Sequence, residues 1–277
     1  MTKKKKKFLC FITLLIPIAV YLLLFGNFFP FSPVIIGFEC KHYEKVRLYF
    51  HNNEDISGFS MLDTLIAETE AFHHLQFKKP VKIFVFSDNS EMKRLTTLKT
   101  RMATYPGEGR IFISYNAKSE ADSGIISLRI YVKHELSHSL IAQNTSLIRY
   151  LKLPDWLVEG IAMVNAQHIG HAWYPSRQET FEYIKKGIFI YPEDYGKPFL
   201  WTKQYVRDMP VPNKTAFFYS EFGCIVEDII HVYGKDEFIT FLHTLLRTND
   251  TYGVFKETFG ISFDEYIEAF KQRANSK

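Results

Sequence analysis

Apolar and polar residues alternate along KVRLYF (45–50) and RIFISY (110–115), a period of two that predicts strands, and VKIFVF (81–86), opened by Pro80, reads as another strand. Between them, FSMLDTLIAETEAFHHLQF (59–77) and MKRLTTLKTRM (92–102) have helical spacing, and Tyr105-Pro106-Gly107 reads as a turn. The pattern then changes. In IISLRIYVKHELSHSLIAQN (125–144), Ile125, Ile126, Ile130, Val132, Leu136, Leu140 and Ile141 are spread around the helix, which predicts a mostly buried helix that stops at Asn144. Beyond Leu153 no strand pattern occurs. Segments 155–167, 176–187, 215–233, 235–247 and 262–273 read as helices, with Gly234 and Gly260 between some of them. The expected fold class is α+β, with a small N-terminal mixed sheet lobe, one long buried helix, and a C-terminal helical lobe across a cleft.

The amino terminus has a different pattern. FLCFITLLIPIAVYLLLF, from Phe8 to Phe25, holds no charge and is interrupted only by Thr13 and Pro17. A run of that length predicts one transmembrane helix preceding the domain, kept as a signal anchor because no small-residue cleavage site follows. Lys3 to Lys7 would then form a cytoplasmic head over residues 1–7, and the positive-inside rule would place everything after the span outside the cytoplasm. The expected organisation is a span at 8–25, a linker at 26–41 and one domain at 42–277. Cys10 would lie within the span. Cys40 and Cys224 are far apart in sequence, and spacing alone leaves open whether they pair.

Composition narrows the function classes. The chain has 277 residues, 47% of them hydrophobic and 23% charged, which is ordinary for a globular protein and excludes disorder as its theme. Its formal charge of +4 comes from the lysine head, because 34 basic residues less those five leave 29 against 30 acidic ones. No nucleic-acid footprint remains, and neither a phosphate-binding glycine loop nor an internal repeat is present.

The candidate chemistry lies within the buried helix. In His134-Glu135-Leu136-Ser137-His138 the histidines are four apart, so they project from one helical face and can share a metal ion. Glu135 can flank that ion and reach a water beside it. Two ligands are too few for a catalytic zinc, which typically takes three protein ligands and keeps one position open. LPDWLVEGIAMV supplies a candidate third. Asp155 is placed to cap a new helix, and Glu159 lies one turn in, 21 residues after His138. A His, His, Glu set with Glu135 beside it suits one Zn2+ per chain.

With Trp156-Leu-x-Glu159-Gly160-x-Ala162 after it, the His-Glu-x-x-His motif resembles the gluzincin metallopeptidases, the thermolysin-like group, and most closely their small peptidase-MA-like or minigluzincin members. AFFYSEFGCIVEDIIHVYGKDEFITFL (216–242) and the closing FKETFGISFDEYIEAFKQ extend the similarity over residues 42–273. The resemblance implies a zincin-like fold, zinc held by His134, His138 and Glu159, Glu135 as general base, and a peptide or protein substrate. It also implies a catalytic tyrosine, for which Tyr219 is the candidate. The competing reading is a core tyrosine among Phe217, Phe218 and Phe222. RIFISY would be the edge strand that pairs with an extended substrate. The implied activity is that of a membrane-anchored, extracytoplasmic zinc metallopeptidase. A zinc-stabilised binding or regulatory module without catalysis is the alternative.

The chain departs from the thermolysin pattern at one place. Met163 stands where a second carboxylate would orient a ligand imidazole, which leaves that role open, with Asp155 as one guess. His168 and His171, just past the Glu159 helix, could line the cleft or contact a ligand from behind, although loop histidines of this kind read first as exposed, and His73 and His74 read as surface or core-edge positions.

Overall fold

The computed structural model describes residues 3–52, 54–196 and 202–276, and only the backbone of 3–12 and 14. Five strands form one mixed sheet: β1 (Glu39–His42), β2 (Val46–Phe50), β3 (Val81–Val85), β4 (Met102–Tyr105) and β5 (Arg110–Ile113), in the order β1-β2-β3-β5-β4. The strands read from the sequence are its parallel interior, β2 beside β3 and β3 beside β5. β1 and β4 are antiparallel edges. RIFISY is therefore not the edge. That place belongs to β4, which pairs Met102 with Ile113 and Tyr105 with Arg110 in a hairpin closed by Gly109 at φ 62°.

Before the helix that carries the motif come α1 (Lys3–Phe25), α2 (Leu62–His73), α3 (Asn89–Thr96) and α4 (Tyr115–Asp122). The motif helix is α5 (Leu128–Asn144), followed by α6 (Leu147–Tyr150) and α7 (Asp155–Ala166). The helical lobe continues with α8 (Arg177–Lys185), α9 (Gln204–Arg207), α10 (Lys214–Tyr233), α11 (Lys235–Leu245), α12 (Thr251–Phe259) and α13 (Phe263–Ser276). Among the described residues no strand follows Leu153.

Alternation along the strands sets up two cores. Ile83, Val85, Ile111 and Ile113 face α2 and α5, where they pack with Leu65, Val132, Leu136 and Leu140. Phe84, Phe86 and Phe112 face the other way and enclose Phe29, Met92 and Leu95. Buried Arg110 fastens the segment after α1 to this second core, donating to the carbonyls of Phe29 at 3.2 Å and Ser32 at 2.7 Å. A third cluster, built on Trp156, Phe217, Phe222, Phe241 and Phe255, is the core of the helical lobe.

The segment expected to cross a membrane is helical, with Pro17 inside α1. Among the described residues, however, no helix is long and apolar enough to cross a membrane. This overturns the transmembrane helix and the single-pass placement with an extracytoplasmic domain. Cys10 and the side chains of Lys3–Lys7 lie outside the described residues. Cys40 is exposed, Cys224 is buried, and both thiols are free.

Candidate metal centre

Helix α5 starts where Ser127 Oγ accepts the backbone N–H of Ile130 at 3.4 Å. One side of it, Val132, Leu136 and Leu140, is sealed against the sheet. His134 and His138 project on another side, toward α7, because residues four apart stack one turn above each other. Ser137, between them in sequence, contacts α2 instead, with its Oγ 2.9 Å from Nε2 of buried His73. His73 Nδ1–H donates to the Thr69 carbonyl at 2.9 Å, so Nε2 accepts from the serine. This polar bond fixes the rotation of α5 against α2.

Glu159 arrives from α7. Its Oε2 lies 3.2 Å from Nε2 of His134 and 3.4 Å from Nε2 of His138, and the two nitrogens are 3.1 Å apart. Three donor atoms thus form a nearly equilateral triangle. Donors on a tetrahedral zinc at about 2.0–2.1 Å stand about 3.3–3.4 Å from one another, so the spacing fits one such ion with a fourth position free. Without an ion, facing nitrogen lone pairs need a proton between them. These three residues form the group able to hold a metal among the described residues.

α7 comes this close to its neighbours because of the residue after the ligand. A Cβ on Gly160 would meet the Phe222 carbonyl oxygen of α10 at 2.6 Å and Val226 Cγ2 at 2.7 Å. Only a glycine permits that approach, which sets α10 beside the ligand helix. Asp155, expected to cap α7, lies inside its first turn, and Pro154 occupies the capping position without a side-chain bond.

A cavity of about 480 Å³ opens over the triangle, lined on one side by Thr100 to Thr104 of the edge-strand segment and on the other by Tyr219 of α10. Glu135 is buried beside it, and Thr104 Oγ1 donates to its Oε2 at 2.7 Å. The Tyr219 ring lies parallel to that of His134, with 6° between planes and 6.2 Å between centroids. Phe217, Phe218 and Phe222 turn into the helical core while Tyr219 lines the cavity. Tyr150, Tyr174 and His168 also line it.

The electrostatics match one buried carboxylate between two imidazoles. Burial opposes the charge on His138, but the Glu159 carboxylate outweighs it and raises the imidazole pKa to about 9. Burial likewise opposes the charge on Glu159, yet His138 and His134 hold that carboxyl well below the usual range. Tyr219 is pushed well above an ordinary phenol, by burial first and then by the Glu159 charge, so its proton stays on.

Behind the triangle the structure differs from the sequence reading. Met163 is fully buried against α10, where it would touch a Cβ on Gly223 at 3.0 Å. His168 is buried, not exposed, and its Nδ1 stands 3.5 Å from Nδ1 of His134. His171 is exposed. Asn165 Nδ2 donates to the Lys133 carbonyl at 3.1 Å, tying α7 to α5 one residue before the first ligand. Thr104 and Tyr174 escaped sequence reasoning, and His168 was read first as exposed. Thr104 lies in a strand too short to alternate clearly, and His168 follows a helix end that gives no sign of turning inward. No protein-family model matches the chain, and no curated protein matches it.

Proposed function

We propose that the chain is a zinc-dependent metallopeptidase of the gluzincin kind, acting on a peptide or protein substrate, with His134, His138 and Glu159 as the ligands. The reading rests on one observation above all, the triangle of Nε2, Nε2 and Oε2 atoms with edges of 3.1, 3.2 and 3.4 Å. A motif match alone allows two histidines on a helix. A carboxylate from a second helix at tetrahedral spacing is a far more restrictive condition.

A bound zinc would supply Lewis acidity, polarising the scissile carbonyl and acidifying a water. Glu135, beside the first ligand, takes the proton of the attacking water and delivers it to the leaving amine. Thr104 holds that carboxylate through the 2.7 Å bond to Oε2, which leaves Oε1 for the proton transfer. Tyr219 keeps its phenolic proton and offers it to the oxyanion that develops during attack. The open side of β4 provides backbone donors and acceptors for an extended peptide, a recognition that is tolerant of sequence.

Glu135→Gln separates an enzyme from a zinc-stabilised binding module. It keeps size and hydrogen bonding but removes the base, so zinc content by metal analysis should be retained while hydrolysis of a diverse peptide pool falls by at least about 100-fold. Loss of zinc in Glu159→Ala with retention in Glu135→Gln would support both roles. A zinc-loaded, folded wild type that cleaves nothing in the pool would replace the enzyme by the module.

A further inference from the structure

The first metal-ligand candidate meets a third imidazole, nitrogen to nitrogen, on the side away from the triangle. His168 and His134 rings stand nearly perpendicular, at 84° with centroids 5.3 Å apart, and their Nδ1 atoms are 3.5 Å from each other. His168 is 1% exposed. Its ring lies between Tyr131 and Tyr174, at centroid distances of 4.5 and 4.3 Å, and its Nε2 is buried without a hydrogen-bond partner. The chain turns back toward α5 through Gln167, held in the left-handed region at φ 55°, and the His168 N–H donates to the Met163 carbonyl at 2.9 Å. A non-glycine residue in that conformation is unfavourable by itself and persists where packing requires it.

One proton arrangement serves the Nδ1 contact and leaves a lone pair on Nε2. His134 turns Nε2 toward Glu159 and His138, so a lone pair available there requires the ring proton on Nδ1. That proton points at Nδ1 of His168, which accepts it only when bare, and the His168 proton then lies on Nε2 within the aromatic box. A ligand imidazole normally gives its second N–H to a carboxylate or carbonyl. Here no carboxylate or carbonyl accepts from His134 Nδ1 among the described contacts, and His168 Nδ1 stands in that place.

We propose that His168 is a positioning residue whose Nδ1 accepts the Nδ1 proton of His134, fixing that ring's tautomer and direction so that Nε2 stays bare toward Glu159 and His138. The inference takes its purpose from the metal-site reading but not its test, because the tautomer is a property of the metal-free chain.

Long-range proton–nitrogen NMR of the full chain, labelled with ¹⁵N in its imidazoles and stripped of metal, reads the tautomer directly. Wild type should show His134 as the Nδ1–H form. His168→Phe keeps an aromatic ring but removes the acceptor, so the His134 tautomers should mix and zinc affinity should fall by about 10- to 100-fold. His168→Gln, whose amide oxygen can accept, should restore most of both. His134 as the Nε2–H form in wild type would overturn the proposal. So would unchanged tautomer and affinity in His168→Phe, or equal losses in the two variants, which mark a merely structural ring. Should His168→Phe not fold, the wild-type tautomer and His168→Gln settle the question. A wild type that binds no zinc would remove the metal-site reading while the tautomer still tests the bond.

Discussion

The Thr104 hydroxyl lies 2.7 Å from Oε2 of Glu135 and 3.0 Å from that residue's carbonyl oxygen, so the edge strand is bonded to the motif helix at the proposed base. A hydrogen bond to a charged group contributes about 1.5–3 kcal/mol. Thr104→Val keeps the shape and removes the donor. It should lower kcat by about tenfold or more at unchanged zinc content, and Thr104→Ser should recover most of the loss. Equal turnover in the valine variant would take Thr104 out of this role.

Tyr219 stacks parallel to His134 and keeps its proton in a buried, negatively charged setting. Tyr219→Phe should lower kcat by about 10- to 1000-fold, the usual effect of losing one oxyanion donor. Zinc content and melting temperature should stay as they are. Wild-type kcat would return Tyr219 to a packing role and move attention to Tyr174 and Tyr150, which line the same cavity.

Gly160 fixes how near α7 stands to α10. Since an added Cβ would lie 2.6 Å from a backbone oxygen, which cannot move aside as a flexible side chain can, the helices must separate. Gly160→Ala should destabilise the fold by about 1–3 kcal/mol, the usual cost of overpacking. Zinc affinity should fall with it, because Glu159 is carried on the displaced helix. Calorimetry finding no loss of stability would show that the helix interface yields without cost.

The metal-free site should respond to pH through its two shifted groups. His138 has its pKa raised to about 9, so the stability it contributes is fully present below about 6.5 and is lost as pH rises through 9. Glu159 is held low, so its contribution is present above about 4.5 and is lost as pH falls below that. The pair should stabilise the metal-free chain most between about pH 4.5 and 6.5. Zinc must displace the His138 proton, so its apparent affinity should climb by up to about tenfold per pH unit from 7 to 9. Titrations in buffers of different ionisation enthalpy should show close to one proton released at pH 7, and none released would contradict the shift.

Much of the scaffold was legible in the sequence because it depends on short periods. Short strand-like apolar patterns found β2, β3 and β5, and in β3 and β5 apolar residues lie on both sides of the pleat, as a strand buried on both faces requires. The spread of apolar residues found α5, and the four-residue spacing put His134 and His138 on one face. Helix boundaries were nearly right for α7, α8 and α10, whereas α3 was misplaced and α4 and α12 were missed although Asp88, Ser114 and Asp250 cap them. β4 was missed because Met102–Tyr105 is too short for a period to emerge, and its strand character comes from pairing with β5. The reading of residues 8–25 as a membrane span relied on hydropathy alone, and among the described residues no helix supports it.

The candidate site divides along the same line. Sequence by itself determined the residue types and their local order: two histidines one turn apart, a glutamate beside the first, and a second glutamate followed by a glycine. Only the tertiary structure brought Glu159 within 3.4 Å of both histidines, made β4 the edge strand that reaches Glu135, and turned His168 inward against His134. Those relations join residues on separate elements, from 21 to 34 positions apart. No local periodicity encodes them, because they depend on how closely helices pack and where a backbone turns back, which the whole core settles together.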